Sequence, residues 1–228
     1  MWHMPEGRSA PNAAAAGRVA GVDGCRGGWV VASSDGIEVV TALTDVLSRF
    51  DTIGIDMPIG LPPTFARVCE QQARRYLSPR ASTVFPSPPR ILLSCATYAE
   101  ANTLAKERFG KGLTQQTFHL FPKIRELDAL VTASDDEFVV EVHPECAFRR
   151  LAGRALASKR SSEGRAQRIA LLDPLLGPID LGVRGAKPDD VLDACAVLWS
   201  ARRFAIGAHE QFGDGERDER GLPMRIVY

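Results

Sequence analysis

Short apolar runs alternate with segments of helical period along this chain, and their order constrains the fold more than any other feature. Residues 18–23 and 28–34 read as two strands joined by a glycine-rich turn. A third strand, 36–42, follows at once, close enough for antiparallel pairing. Residues 44–50 have helical spacing, with Thr44 as N-cap. The apolar run "TIGIDMPIGLPP", 52–63, makes a fourth strand that ends in Asp56 and is stopped by Pro58, Pro62 and Pro63. Helical stretches are expected at 64–77, 95–109 and 114–133, with a proline-rich loop at 78–90. "EFVVEVH", 137–143, is a fifth strand, and helices follow from Pro144, over 161–176 and over 188–208. The fourth and fifth strands each come after a helix, so crossovers can bring them in parallel. The fold class expected is α/β, a mixed five-stranded sheet with flanking helices and a helical insertion at about 64–134. One domain is expected over 18–228, after a loose, disordered tail at 1–17.

Carboxylates stand at matching places in this order. Asp23 ends the first strand and Asp56 the fourth; Glu145 lies just past the fifth; Asp189, Asp190 and Asp193 open the last helix. In open sheets with helical crossovers, residues beyond the carboxyl ends of parallel strands meet in one crevice. Acids gathered there lose hydration and repel one another, so they need a cation or protons. An all-oxygen set suits Mg²⁺ or Mn²⁺. Each acid also has a plain structural reading. Asp23 and Asp56 can accept from backbone N–H groups of turns, and Asp189 and Asp190 favour a helix N-terminus. Asp193 fits that reading least, since it sits a turn deeper among Leu192, Ala194 and Ala196. Taken together, the four positions favour a metal site. His143 is read as a supporting residue behind it.

Charge narrows the class of partner. Net charge is zero, with 28 basic and 28 acidic residues, which argues against a protein that coats nucleic acid. Residues 126–145 carry seven carboxylates and no Lys or Arg, while 149–168 carry seven basic groups and one acid. Such a pair of stretches suits a metal site beside a phosphate-binding surface, although two solvated faces of opposite sign are the commoner outcome. No apolar run reaches the ~20 residues of a membrane span, and five dispersed cysteines without a CxxC pair suit reduced thiols in a cytoplasm.

The blocks "GVDGCRGGWVVA", "IGIDMPIGLP", "ARRYLSPRASTVFPSPPR", "GLTQQTFHLFPKIRELD", "EVHPECAF" and "DDVLDACAVLWSARR" together resemble a widespread bacterial and archaeal domain-of-unknown-function family described as predicted RNase H-like nucleases. The resemblance covers nearly the whole chain from Val19. It implies an RNase H-like fold and a Mg²⁺- or Mn²⁺-dependent phosphodiester hydrolase acting on nucleic acid or another phosphate-containing substrate. The closing "DDVLDACA" is also similar to the end of RuvC-type resolvases, which implies Asp23, Asp56, Asp190 and Asp193 as metal ligands. Glu145 would complete the shell or orient the water. Arg26, Arg80, Arg90 and Lys159, with the other basic residues of 149–168, would meet phosphate. Glu70, where similar sequences have Asp, would pair with Arg74 one turn on. "STVFPSPPR" is either a lid over the crevice or a packed connector. Two other readings stay open: a phosphotransferase or hydrolase of nucleotides and small phosphates, and a non-catalytic binding protein on the same fold. No membrane contact is expected, and a dimer is left open.

Overall fold

A computed structural model describes residues 17–228. The expected tail, 1–17, lies outside the described residues except for Gly17.

Five strands form one mixed sheet: β1 (Val19–Cys25), β2 (Gly28–Ser33), β3 (Gly36–Val40), β4 (Thr52–Ile55) and β5 (Val139–Glu141). Their order is β3-β2-β1-β4-β5. β1, β2 and β3 pair antiparallel, as their short turns require, whereas β1–β4 and β4–β5 are parallel. The expected α/β class with a mixed five-stranded sheet is therefore the observed one.

Helices cover both faces. A short α1 (Thr44–Leu47) joins β3 to β4. The segment between β4 and β5 holds α2 (Val68–Tyr76), α3 (Tyr98–Phe109), α4 (Gln115–His119) and α5 (Phe121–Leu130). The helix expected over 114–133 is thus two helices. Pro122 lacks an N–H and takes the first turn of α5, so the chain restarts there. After β5 come α6 (Pro144–Ala152), α7 (Ser162–Leu176) and α8 (Pro188–Ala205). Period-two alternation in β1 sends Ala20 and Val22 to a core shared with α1, α3 and α5, and Val19 to a core shared with α6, α7 and α8. Among the described residues no helix is long and apolar enough to cross a membrane. All five cysteines are buried and unpaired.

Two glycines set how deep α8 lies. Gly21 and Gly54 are register partners on β1 and β4. A Cβ on Gly21 would stand 2.1 Å from Leu198 N and 2.3 Å from Ala194 O. One on Gly54 would stand 2.9 Å from Val197 Cγ1 and 3.0 Å from Ala201 Cβ. Only hydrogen at both places lets the α8 backbone rest on the strands. The small residues of α8 complete that fit.

The last twenty residues are more structured than their polar composition suggests. β6 (Gln211–Phe212) and β7 (Ile226–Val227) pair antiparallel, and Val227 also bridges to Val142 at the sheet edge. Leu222, Met224, Ile226, Val227 and Tyr228 are buried. Asp218 ties this tail down by accepting from Leu61 N and Leu222 N, while Arg90 binds its carboxylate.

Candidate functional site

The aspartates are positioned by the same two glycines. Asp23 follows Gly21 by two residues and Asp56 follows Gly54 by two, so strand alternation points both at α8. On α8, Asp193 precedes Val197 by one turn and Asp190 precedes Ala194 by one turn, on the face that rests on the glycines. Asp23, Asp56 and Asp193 line one cleft of about 870 Å³. Asp190 does not line it; its Oδ2 accepts from Lys187 N at 3.1 Å and caps its own helix.

The carboxylates act on one another. Burial pushes the Asp23 carboxyl well above its ordinary value, and the charges of Asp56, Asp193 and Asp190 push the same way. Burial raises Asp56 to about 7 and Asp193 to about 6, while the Lys159 ammonium holds both back. Lys159 Nζ donates to Asp193 Oδ2 at 2.6 Å. Burial works against that ammonium too, but Asp193, Asp56 and Glu145 outweigh it and raise the Lys159 pKa. Lys159 is therefore the counter-charge of the cluster.

Three walls close the cleft. The proline-rich segment contributes Arg80 and residues 82–88; α4 and the start of α5 contribute Gln116, Thr117, His119 and Lys123; Arg26 and Arg160 add charge. The proline segment is anchored to the helical insertion at Ser87. Ser87 N donates to Glu70 Oε1 at 2.9 Å, and Arg67 Nη1 donates to Ser87 Oγ at 2.8 Å. Arg67 is fully buried and binds Glu141 at 2.5 Å, while Glu141 accepts from Ile59 N. Glu70 thus pairs with Arg67 and Ser87, not with Arg74 as expected. His143 Nε2 donates to Thr83 O at 3.3 Å, linking β5 to this wall. Its Nδ1 is buried without a partner among the described residues, and burial lowers its pKa.

Several expected site residues have partners within the protein. Glu145 lines the cleft and its charge raises Asp56 and Asp193, while both of its oxygens accept from Arg168 Nη2, at 2.7 and 2.8 Å, joining α6 to α7. Arg90 binds Asp128, Asp218 and Glu219 and does not reach the cleft, which removes it from phosphate binding. Of the seven basic groups at 149–168, only Lys159 and Arg160 line the cleft. Three acids of the acidic stretch are paired within the protein: Glu126 accepts from Trp29 Nε1 and Leu43 N, Asp136 pairs with Arg217, and Glu141 pairs with Arg67. Sequence reading counted Arg168 among groups for phosphate and Glu141 within an acidic stretch, but not their roles, nor that of Arg67, as members of buried pairs, since those partners lie far along the chain. The pattern Gly-Val-Asp and Gly-Ile-Asp, glycine two before aspartate in both strands, was the available signal for the site.

The donor chemistry of these residues suits a hard divalent cation. The donors are oxygens, and Asp193 Oδ1 is buried with no partner among the described residues. Among the described residues, no group of three or more His, Cys, Asp or Glu side chains is placed to hold a metal ion as it stands. The Lys159 ammonium neutralises Asp193 instead. A cation held by Asp23, Asp56 and Asp193 would exchange with that ammonium.

The fold and cleft define an α/β protein whose acidic cluster, at the carboxyl ends of two parallel strands, is edged by cations. The chain belongs to the family described as protein of unknown function (DUF429), which matches residues 21–218. No curated protein and no solved structure matches it.

Proposed function

We propose that the protein is a divalent-metal-dependent phosphodiester hydrolase acting on nucleic acid, with an RNase H-like arrangement of its acids. The observation that carries this reading is the convergence of Asp23, Asp56 and Asp193 in one cleft beside Lys159, Arg160, Arg26 and Arg80. Asp23, Asp56 and Asp193 would hold Mg²⁺ or Mn²⁺, with Asp190 adding negative charge from behind. When bound, such an ion neutralises phosphate charge and makes a water more acidic. Lys159, once released from Asp193, and the three arginines would orient the phosphate, arginine by two-point contact. His143, whose pKa burial lowers, lines the same cleft and ties it to the proline segment through Thr83.

The test is cleavage of labelled single-stranded DNA and RNA in Mg²⁺ or Mn²⁺ by wild type and Asp23→Asn. The variant should lose roughly a hundredfold or more, because a bound ion contributes several kcal/mol to such a reaction. Undiminished cleavage by Asp23→Asn removes Asp23 from the mechanism. A second reading, hydrolysis or transfer on a free nucleotide or other small phosphate, is favoured by the bounded cleft of about 870 Å³, a size usual for small-ligand sites. A folded protein that binds no Mn²⁺ and cleaves nothing leaves the non-catalytic reading.

A further inference from the structure

We propose that Phe85, with Gln116 and His119, forms a nucleobase subsite in the cleft, so that the substrate engages as a single nucleotide unit, free or at the end of a strand. The inference rests on the proposed function for the phosphate half of the cleft and assigns the other half.

Phe85 is the first reason. Five large hydrophobic side chains stay exposed among the described residues, and Phe85, at 41 %, is the one that lines this cleft. An apolar ring in a wall otherwise edged by charges is costly to leave in water, and it offers a face for stacking. The ring is also held in place. Val84 and Ser87 on either side are buried, and Ser87 is anchored to Glu70 and Arg67. Pro86, Pro88 and Pro89 restrict the backbone further. A platform fixed before the ligand arrives loses little freedom on binding. Every base has a π-face, so stacking tolerates any of the four.

The polar edge comes from α4. Gln116 and His119 are one turn apart, both exposed and both lining the cleft. A carboxamide presents a donor and an acceptor side by side, the combination that a base edge pairs with. Thr114 Oγ1 accepts from Thr117 N at 3.1 Å and holds this short helix in register. Lys159, Arg160 and Arg80 line the same cleft and meet the phosphate.

The test is calorimetric titration of wild type and Phe85→Ala, in Mn²⁺, with AMP, GMP, CMP and UMP, with ribose 5-phosphate, and with a short oligothymidylate. Phe85→Ala should stay folded, with at most a small drop in melting temperature, because the residue is 41 % exposed. The nucleotides should bind wild type more tightly than ribose 5-phosphate does. Phe85→Ala should weaken them roughly 5- to 150-fold, the loss of one base–aromatic stack, and leave ribose 5-phosphate unchanged. Saturation by the monophosphates marks a free nucleotide; saturation by the oligonucleotide alone, again weakened in Phe85→Ala, marks a strand end. Equal affinity for AMP and ribose 5-phosphate, equal affinity in the two proteins, or no binding of any probe overturns the inference. Mn²⁺ titration without nucleotide, in wild type and Asp56→Asn, reads the carboxylates separately. Phe85-dependent binding with no Mn²⁺ uptake overturns the hydrolase reading and spares the base subsite. Asp56-dependent Mn²⁺ uptake with no effect of Phe85→Ala does the reverse.

Discussion

Lys159 Nζ lies 2.6 Å from Asp193 Oδ2 and supplies positive charge to a cluster of aspartates that burial and mutual repulsion both disfavour. The ammonium and a divalent cation would neutralise the same oxygens. Lys159→Gln should therefore bind Mn²⁺ more tightly than wild type by calorimetry, since the competing charge is gone. The lysine is 42 % exposed but the Asp193 side chain only 7 %, so its loss leaves a buried carboxylate uncompensated and should cost the metal-free protein up to about 3–5 kcal/mol, less where Asp193 takes a proton. Weaker Mn²⁺ binding in the variant would place Lys159 outside the competition.

Asp56 and Asp193 carry raised pKa values, about 7 and about 6, through burial. The folded protein then keeps protons that the unfolded chain, titrating near ~4, has lost. Stability from such groups is present at low pH and falls as pH rises toward about 7. Metal-free wild type should lose stability relative to Asp56→Asn between pH 5 and pH 8. Thermal melts of the two proteins across that range measure the difference, and added Mg²⁺ should shrink it most at the alkaline end. Parallel curves would show that Asp56 titrates normally.

Gly21 and Gly54 should not tolerate alanine equally. At Gly21 the new Cβ meets backbone atoms of α8, at 2.1 Å from Leu198 N; at Gly54 it meets only side-chain atoms, at 2.9 Å from Val197 Cγ1 and 3.0 Å from Ala201 Cβ, a milder overlap. Gly54→Ala should cost about 1–3 kcal/mol, the usual range for overpacking, and Gly21→Ala more. Because α8 carries Asp193, Gly21→Ala should also weaken Mn²⁺ binding at temperatures where the variant stays folded. Urea denaturation and calorimetry on both variants read the two effects.

Glu145 and Arg168 form a buried pair whose arginine side chain is 1 % exposed. Glu145→Ala leaves that guanidinium uncompensated and should cost roughly 3–5 kcal/mol. Glu145→Gln should cost less, since the amide oxygen still accepts. Folded Glu145→Gln should bind Mn²⁺ like wild type, and a loss of affinity would return Glu145 to the metal shell.

Much of this molecule was legible from local pattern. Strand alternation and helical period gave β1 to β5, their directions followed from connection length, and Asp23, Asp56 and Asp193 stood out because acids at strand ends and inside an apolar helix break those patterns. Arg26 stood three residues from Asp23, whereas Arg80 and Lys159 were picked out only as members of basic stretches. What local pattern could not assign was the partner of each charge. Arg90 looked like a phosphate ligand, yet it binds Asp218, 128 residues away. Glu145 looked like a catalytic acid, yet Arg168 takes both of its oxygens. The C-terminal tail is largely polar in composition, yet its alternate apolar residues are buried and Val227 bridges to the sheet edge at Val142. Periodicity is set by backbone geometry within a few residues, so sequence alone carries it. The pairing of buried charges is decided when separate elements dock, because each carboxylate excluded from water takes the nearest cation that packing brings to it.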